Sequence, residues 1–269
     1  MTHSIFPMGH FYNPVPSEED IERFIANRTT PRELAGINLN YDIQLSYHKL
    51  LEQFREGYVW KADKQEGLDF YWDNDQFTDG CSYTIYAFMR LLRPERIIEI
   101  GSGYSTAIMK DTNHLYLNGK TRITCIEPYP DRLIATWGER VQDYVTLHPQ
   151  RLQEVDLAVF DQLQPGDICF IDSSHVVKLD SDVSRIFFEL LPRLKKGVFI
   201  HFHDIIYPFE YPNEWLIENR AWNEAYILRA FLQNNPDYEI VYWGSCLMAL
   251  EESLSNQNLG GSIWLRKIK

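Results

Sequence analysis

No stretch of this 269-residue chain approaches the ~18 consecutive apolar residues that a membrane-spanning helix needs, so no membrane partner is expected. The N-terminus lacks a basic segment followed by an apolar one, so no secretory signal is expected and the cytoplasm is the expected location. Basic residues are in short supply. Lys and Arg number 26 against 38 Asp and Glu, a formal net charge of -12. That speaks against a nucleic-acid partner, because binding a polyanion non-specifically needs a basic footprint. Cysteine is scarce too: Cys81, Cys125, Cys169 and Cys246 are far apart, with no CxxC pair, which argues against a zinc knot. Cys125, Cys169 and Cys246 lie in apolar runs and read as buried free thiols of a reducing compartment, whereas Cys81 sits in a polar turn. There is no internal repeat, no low-complexity segment and no GxSxG nucleophile elbow. What is present is globular: 45% hydrophobic and 24% charged residues, with 7 Trp and 16 Tyr that suit a partly apolar ligand or simply core packing.

The chain divides at about residue 80. Residues 1–15 are rich in turn formers and read as irregular. Ser17 precedes an acidic first turn and caps a short helix to about residue 25, and a second helix is expected over 41–56. Residues 57–80 read as a loop over the main domain. From residue 83 short apolar strands alternate with amphipathic helices: strands over 96–100, 121–127, 144–148, 167–172 and 197–203, and helices over 83–92, 104–117, 131–141, 151–162 and 180–191. Ile97-Ile98-Glu99-Ile100, Ile168-Cys169-Phe170-Ile171 and Val198-Phe199-Ile200 are apolar on both faces, as buried parallel strands are. After a helix over 222–233, a long strand over 238–250, either continuous or broken near Gly244, and another over 262–268 follow with no helix between them. They are expected to form an antiparallel hairpin at the sheet edge. The fold class is α/β, Rossmann-like, with a mostly parallel seven-stranded sheet and helices on both faces.

The strongest local signal is Gly101-Ser102-Gly103, which ends a buried strand and opens a helix. Glycines there let the backbone turn tightly and approach a ligand, and the helix start offers free N–H groups. A dinucleotide fingerprint would have a third glycine at position 106, but this chain has Thr106. A nicotinamide cofactor is therefore disfavoured, and S-adenosylmethionine, which has no phosphates, is the candidate. Glu127, at the end of the second strand, is placed to accept hydrogen bonds from a ribose diol. Glu99 is a charge inside a strand and needs a partner: a ribose, a cofactor ammonium or a backbone group. Gln150 is the candidate for the adenine edge.

Two further strand ends carry ionisable groups: Asp172-Ser173-Ser174-His175 and His201-Phe202-His203-Asp204. In open α/β sheets such ends face the ligand crevice. Asp172 and Asp204 would repel each other unless a cation or a shared proton intervened, and Mg or another divalent metal held by Asp172, His203 and Asp204 would serve. On a regular strand, however, His201 and His203 point one way and Asp204 the other. His175 is the candidate general base, with Asp172 and Asp204 as further catalytic groups. The aromatic, Pro-rich run 205–215 is placed as a wall or lid. Glu224 could face the pocket or favour a helix dipole, and His10-Phe11-Tyr12 could close the site or remain a loose tail.

Residues 96–204 resemble a class I S-adenosylmethionine-dependent methyltransferase core: the turn at 101–103, the acid at Glu127 and the acid at Asp172 come in the expected order. More narrowly, residues 170–175 and 201–204 resemble a bacterial branch related to the small-molecule methyltransferases often named with cephalosporin hydroxylases. The resemblance implies methyl transfer to oxygen or nitrogen of a small-molecule acceptor. It also implies Asp172 as a magnesium ligand, His175 as base, Asp204 as a further metal-binding acid, and a methyltransferase domain over 81–269 with residues 1–80 packed on it. Cofactor contacts are assigned to Glu99, Gly101, Ser102, Gly103, Glu127, Gln150 and Asp172. The chain departs from that pattern in having His203 before Asp204, where those enzymes offer another acid. The competing readings are a metal-dependent oxygenase or hydrolase built on His201, His203 and Asp172, and a non-catalytic binding protein with the same fold. The chain is expected as a monomer or homodimer.

Overall fold

Short β-branched runs with no polar face cannot lie on a surface, and here they form the centre of a sheet covered on both sides. In the computed structural model, which describes residues 5–269, the strands are β1 (Arg96–Ile100), β2 (Arg122–Ile126), β3 (Thr146–His148), β4 (Ile168–Ile171), β5 (Phe199–Phe202), β6 (Tyr238–Trp243) and β7 (Ile263–Lys267). Residues 1–4, the start of the stretch read as irregular, lie outside the described residues. The order is β3-β2-β1-β4-β5-β7-β6. Neighbours from β3 to β5 are parallel, and β7 runs antiparallel between β5 and β6. This is the expected α/β, mostly parallel, seven-stranded class.

The helices are α1 (Glu18–Asn27), α2 (Tyr41–Glu52), α3 (Asp79–Leu92), α4 (Tyr104–Tyr116), α5 (Asp131–Trp137), α6 (Val141–Tyr144), α7 (Asp182–Arg185), α8 (Leu191–Arg193), α9 (Asn213–Ile217), α10 (Glu224–Leu232) and α11 (Gly244–Leu250). Strand alternation sends Ile98, Ile100, Ile171 and Phe202 to one core, with Leu190 and Leu228. Ile97, Phe170, Phe199 and Trp264 go to the other, with Phe88 of α3 and Ile108 of α4. Among the described residues no helix is long and apolar enough to cross a membrane, and all four cysteines, Cys81 included, are free and buried.

Several elements differ from expectation. The run 238–250 is not one strand: it ends at Trp243 and continues as α11. Gly244 packs so closely that a Cβ there would lie 2.1 Å from the Leu259 carbonyl oxygen, and Cys246 and Leu247 are buried on the helix. A short apolar run can satisfy either period, and here burial on a helix won. The β6–β7 pairing is antiparallel as expected, but α11 separates the strands, and of the two β6 lies at the sheet edge while β7 is internal. Residues 151–162 form two 3₁₀ turns, Leu152–Glu154 and Leu157–Gln162. The helix expected over 131–141 breaks at Gly138, whose φ is +58°. A π turn, Ile186–Leu190, joins α7 to α8. In the run 205–215, read as irregular, α9 begins at Asn213.

The N-terminal segment is fastened by polar contacts. Ser17 Oγ accepts the Asp20 N–H at 3.1 Å, as an N-cap should. Arg28 donates to the Tyr211 carbonyl at 2.7 Å and to Asn213 Oδ1 at 2.9 Å. Buried Asp111 of α4 accepts Trp60 Nε1 at 3.1 Å and the Asp69 and Phe70 N–H groups at 2.9 and 3.0 Å. That carboxylate anchors the loop leading to Gln76 and Phe77. Asp111→Ala leaves two buried donors, Trp60 Nε1 and the Phe70 N–H, and the half-buried Asp69 N–H without an acceptor and is expected to cost about 3 kcal/mol. Urea unfolding should show a lower midpoint with an unchanged slope, and an unchanged midpoint would contradict this anchoring.

Candidate active site

The sheet order changes direction between β1 and β4, and the loops after these strands diverge there to leave a crevice. The register sets Ile100 beside Ile171, so Gly101 and Asp172 leave the sheet side by side. Asp172 N–H donates to the Ile100 carbonyl at 2.9 Å. Gly101 has φ +80°, and a Cβ there would lie 1.9 Å from the Asp172 carbonyl oxygen. Only glycine fits both the backbone conformation and the space.

Two cavities meet at this point, sharing Gly101, Glu127, Asp172, Ser173 and Ser174 in their walls. One, of about 450 Å³, extends past Tyr129 to Arg151, Leu152 and Gln153. The other, of about 330 Å³, extends over Ser102 and Gly103 to His175, His203 and Asp204, with Phe77 and Trp222 as apolar walls. Glu127 stands between them: its Oε2 accepts the Ser102 N–H at 3.0 Å and its Oε1 the Tyr129 N–H at 2.8 Å. Each oxygen keeps a lone pair for a ligand.

Glu99 is corrected. It lines neither cavity and is fully buried beneath the turn, where Ser105 Oγ, Thr106 Oγ1 and Cys125 Sγ donate to it at 2.6, 2.6 and 3.3 Å. Strand alternation requires this, since Glu99 shares the side of Ile97, facing α4. Thr106 Oγ1 in turn accepts the Gly103 N–H at 3.0 Å, so Glu99 braces the turn from below. Position 106 thus carries a hydroxyl that a dinucleotide fingerprint glycine could not supply. Gln150 is corrected as well: it lines neither cavity, whereas Gln153, on the first 3₁₀ turn after β3, lines the one beside Tyr129.

The second cavity holds an imidazole–carboxylate cluster. His175 Nε2 lies 3.5 Å from Asp172 Oδ1 and 3.8 Å from Asp204 Oδ2. Its Nδ1 is 2.8 Å from Glu224 Oε2, and Ser173 Oγ donates to Glu224 Oε1 at 2.8 Å. The Asn223 and Glu224 N–H groups at the start of α10 donate to the His175 carbonyl at 3.0 and 3.1 Å. Both His175 (φ +59°) and Asp204 (φ +54°) are left-handed. The conflict over Asp204 is thereby resolved: β5 ends at Phe202, and the left-handed residue swings its carboxylate to 3.3 Å from His203 Nε2.

Charge balance follows from burial and these contacts. Burial disfavours a charged His175, but the carboxylates of Asp172 and Glu224 outweigh it and push the ring up to about 10. Burial likewise opposes charge on His203, yet Asp204 and Asp172 hold it well above the ordinary imidazole value. Burial tends to raise Asp172, but the facing imidazoles of His203 and His175 hold it below its usual value. Asp204 is raised, chiefly by burial.

These imidazoles stand where a metal was expected. Among the described residues no three His, Cys, Asp or Glu side chains form a metal-ligand group. The His175 ring projects between the two carboxylates, and His203 faces Asp204 in place of a further acid. The set Asp172, His203 and Asp204 therefore does not fit a divalent ion. The trio of His201, His203 and Asp172 is not formed either: His201 is fully buried, stacked on Phe170 at 4.0 Å and set against Trp264. Burial and the nearby charge of His203 hold it well below the ordinary value. The aromatic run 205–215 does not line the cavities, and the wall is Trp222 instead. His10 and Phe11 stack on each other near Phe6. Sequence reasoning missed Tyr129, Arg132 and Gln153, and of the Glu224 alternatives it is the contact with His175 that the structure shows.

Burial raises Glu99 to about 7, against its four hydroxyl and thiol neighbours. The unfolded chain releases that proton near 4.5. Its stabilising contribution is complete below that value and is lost as pH rises through about 7. Melting temperature measured against pH should therefore fall more steeply across this window in the wild type than in Glu99→Gln. A constant offset between the two proteins would contradict the assignment.

Residues 98–205 match a family described as a methyltransferase domain. An uncharacterized protein of Archaeoglobus fulgidus is 33% identical over 169 residues, covering 61% of this chain and 76% of the relative. Among solved structures, the S-adenosylhomocysteine-bound methyltransferase PaMTH1 of Podospora anserina is 15% identical, covers all of both chains and has a TM-score of 0.49. The O-methyltransferase TomG of Streptomyces achromogenes, solved with S-adenosylmethionine, is 15% identical over 85% of this chain and 96% of its own, also with a TM-score of 0.49.

Proposed function

This chain belongs to the methyltransferase-domain family, and we propose that it transfers the methyl group of S-adenosylmethionine to an oxygen or nitrogen atom of a small-molecule acceptor. The observation that carries this reading is the meeting of two cavities at Gly101, Glu127 and Asp172, one suited to a nucleoside and one holding a proton-transfer cluster. The nucleoside lies along Tyr129 and Gln153, with its ribose hydroxyls donating to Glu127. The amino-acid tail crosses the turn at Gly101, Ser102 and Gly103, and the positive sulfonium faces Asp172. The acceptor lies between Phe77, supplied by the 1–80 extension, and Trp222. Its proton passes to His175 as the methyl carbon bonds to the acceptor atom and S-adenosylhomocysteine leaves. Asp172 and Asp204 stabilise the imidazolium that forms, and Glu224 holds the ring in position. Most of the acceleration comes from alignment in a partly desolvated site.

Calorimetric titration with S-adenosylhomocysteine tests the cofactor assignment. One binding event per chain is expected, and no binding at millimolar ligand would overturn it.

The base assignment has its own pH signature. His175 releases its proton only near 10. At neutral pH the protonated ring predominates, so kcat/KM for an acceptor found by screening alcohols, phenols and amines should rise about tenfold per pH unit well below that value. Glu224→Gln, which removes one of the charges that raises the ring, should shift this rise to lower pH. His175→Ala should lower kcat by roughly 10²–10⁴. A rate independent of pH between 6 and 9 would contradict His175 as the base.

A further inference from the structure

Nine of the sixteen arginines of this acidic chain meet a carboxylate. Arg96 pairs with Asp167, Arg151 with Glu154, Arg193 with Asp161 and Arg266 with Glu239. Arg132, near the start of α5, forms no ion pair among the described residues, although it lines the same cavity as Glu127, Asp172 and Asp204. It is not loosely held. Its side chain crosses Gly103, where a Cβ would lie 3.1 Å from its Cδ and 3.3 Å from its Nη1. Its guanidinium carbon lies 5.0 Å from the centre of the Tyr104 ring, and the Tyr104 hydroxyl is 3.0 Å from that of Tyr71. Stacking on an aromatic face leaves the planar fork of the guanidinium free to meet an oxyanion edge-on.

The cavity therefore carries acids along its inner wall and one unpaired guanidinium at its solvent-exposed rim. A ligand matching both ends is a zwitterion, with its cationic part toward the acids and a carboxylate toward the arginine. The amino-acid tail of a sulfonium cofactor has that form, and Gly103, over which Arg132 lies, belongs to the turn the tail would cross. We infer that Arg132 holds the α-carboxylate of the cofactor's amino-acid tail. The absence of a side chain at Gly103 lets the arginine reach across to it. This inference rests on the cofactor assignment proposed above and adds the group that distinguishes the intact cofactor from its decarboxylated form.

The test uses two ligands that differ only in that carboxylate, S-adenosylmethionine and decarboxylated S-adenosylmethionine, titrated into the full-length wild type and Arg132→Met. Methionine keeps an apolar stem over Gly103 and Tyr104 while removing the charge. Wild type should bind S-adenosylmethionine at least about tenfold more tightly than the decarboxylated form, since a charge-assisted bidentate bond is among the stronger polar contacts. Arg132→Met should lose most of that difference by weakening S-adenosylmethionine alone. Unchanged binding of the decarboxylated form is the internal check that the variant is folded. If Arg132→Met keeps the wild-type preference, or loses both ligands equally, the inference is overturned. In the former case the carboxylate is held elsewhere, and an arginine kept free would then serve an acidic acceptor. If the wild type binds neither ligand, the cofactor assignment itself fails, and that outcome is distinct from the other two.

Discussion

The contact between Gly101 and the Asp172 backbone is the constraint on which the site depends. Two parallel strands from distant parts of the chain end at the same level, and their departing backbones approach too closely for any side chain at position 101. That approach places the helix start of α4, the acid after β2 and the cluster after β4 around one crevice. The sheet order supplies the opening, and the glycine lets its walls meet at the base. Beneath the turn, Glu99 and Thr106 make the approach rigid, because Thr106 holds the Gly103 N–H while Glu99 receives the hydroxyls of Ser105 and Thr106. A buried carboxyl that receives two hydroxyls and a thiol gives the turn one shape.

Electrostatics in the second cavity follow from close packing of opposite charges. Three carboxylates, Asp172, Asp204 and Glu224, surround the imidazole of His175, and a second imidazole, His203, faces Asp204. Such a group is self-consistent without an added cation: each ring offsets the repulsion that the acids would otherwise suffer. The same arrangement makes proton release from His175 costly in the free protein. A sulfonium beside Asp172 would compete for the same negative field and make that release easier, so in the proposed reaction cofactor arrival would favour the neutral form of His175. Ring orientation is set by α10, whose first residues grip both the backbone and the side chain of His175.

Much of this was legible in the sequence, and the limits have physical causes. The strand–glycine–helix signal at residues 97–106, the acid at 127 and the two ionisable strand ends depend on local patterns, and the topology brings them together. Strand alternation could have assigned Glu99 correctly, since it shares the parity of Ile97 and is two residues from the glycine. The Asp204 conflict was visible from the same alternation, but its resolution needed a left-handed residue that a period-two pattern does not encode. The segment 244–250 is short and apolar throughout, so its helix could not be told from a strand extension without Leu259 packed against Gly244. Glu224 and Arg132 lie far along the chain from the groups they touch, and only tertiary packing shows that one holds a histidine while the other has no acid partner.

The most direct measurement is a crystal structure of the protein with S-adenosylhomocysteine. The account predicts the ribose hydroxyls on Glu127, with the sulfur above the turn at Gly101 and facing the group formed by Asp172, His175 and Asp204. A nucleoside bound elsewhere, or Glu127 turned away from the ligand toward solvent, would contradict it.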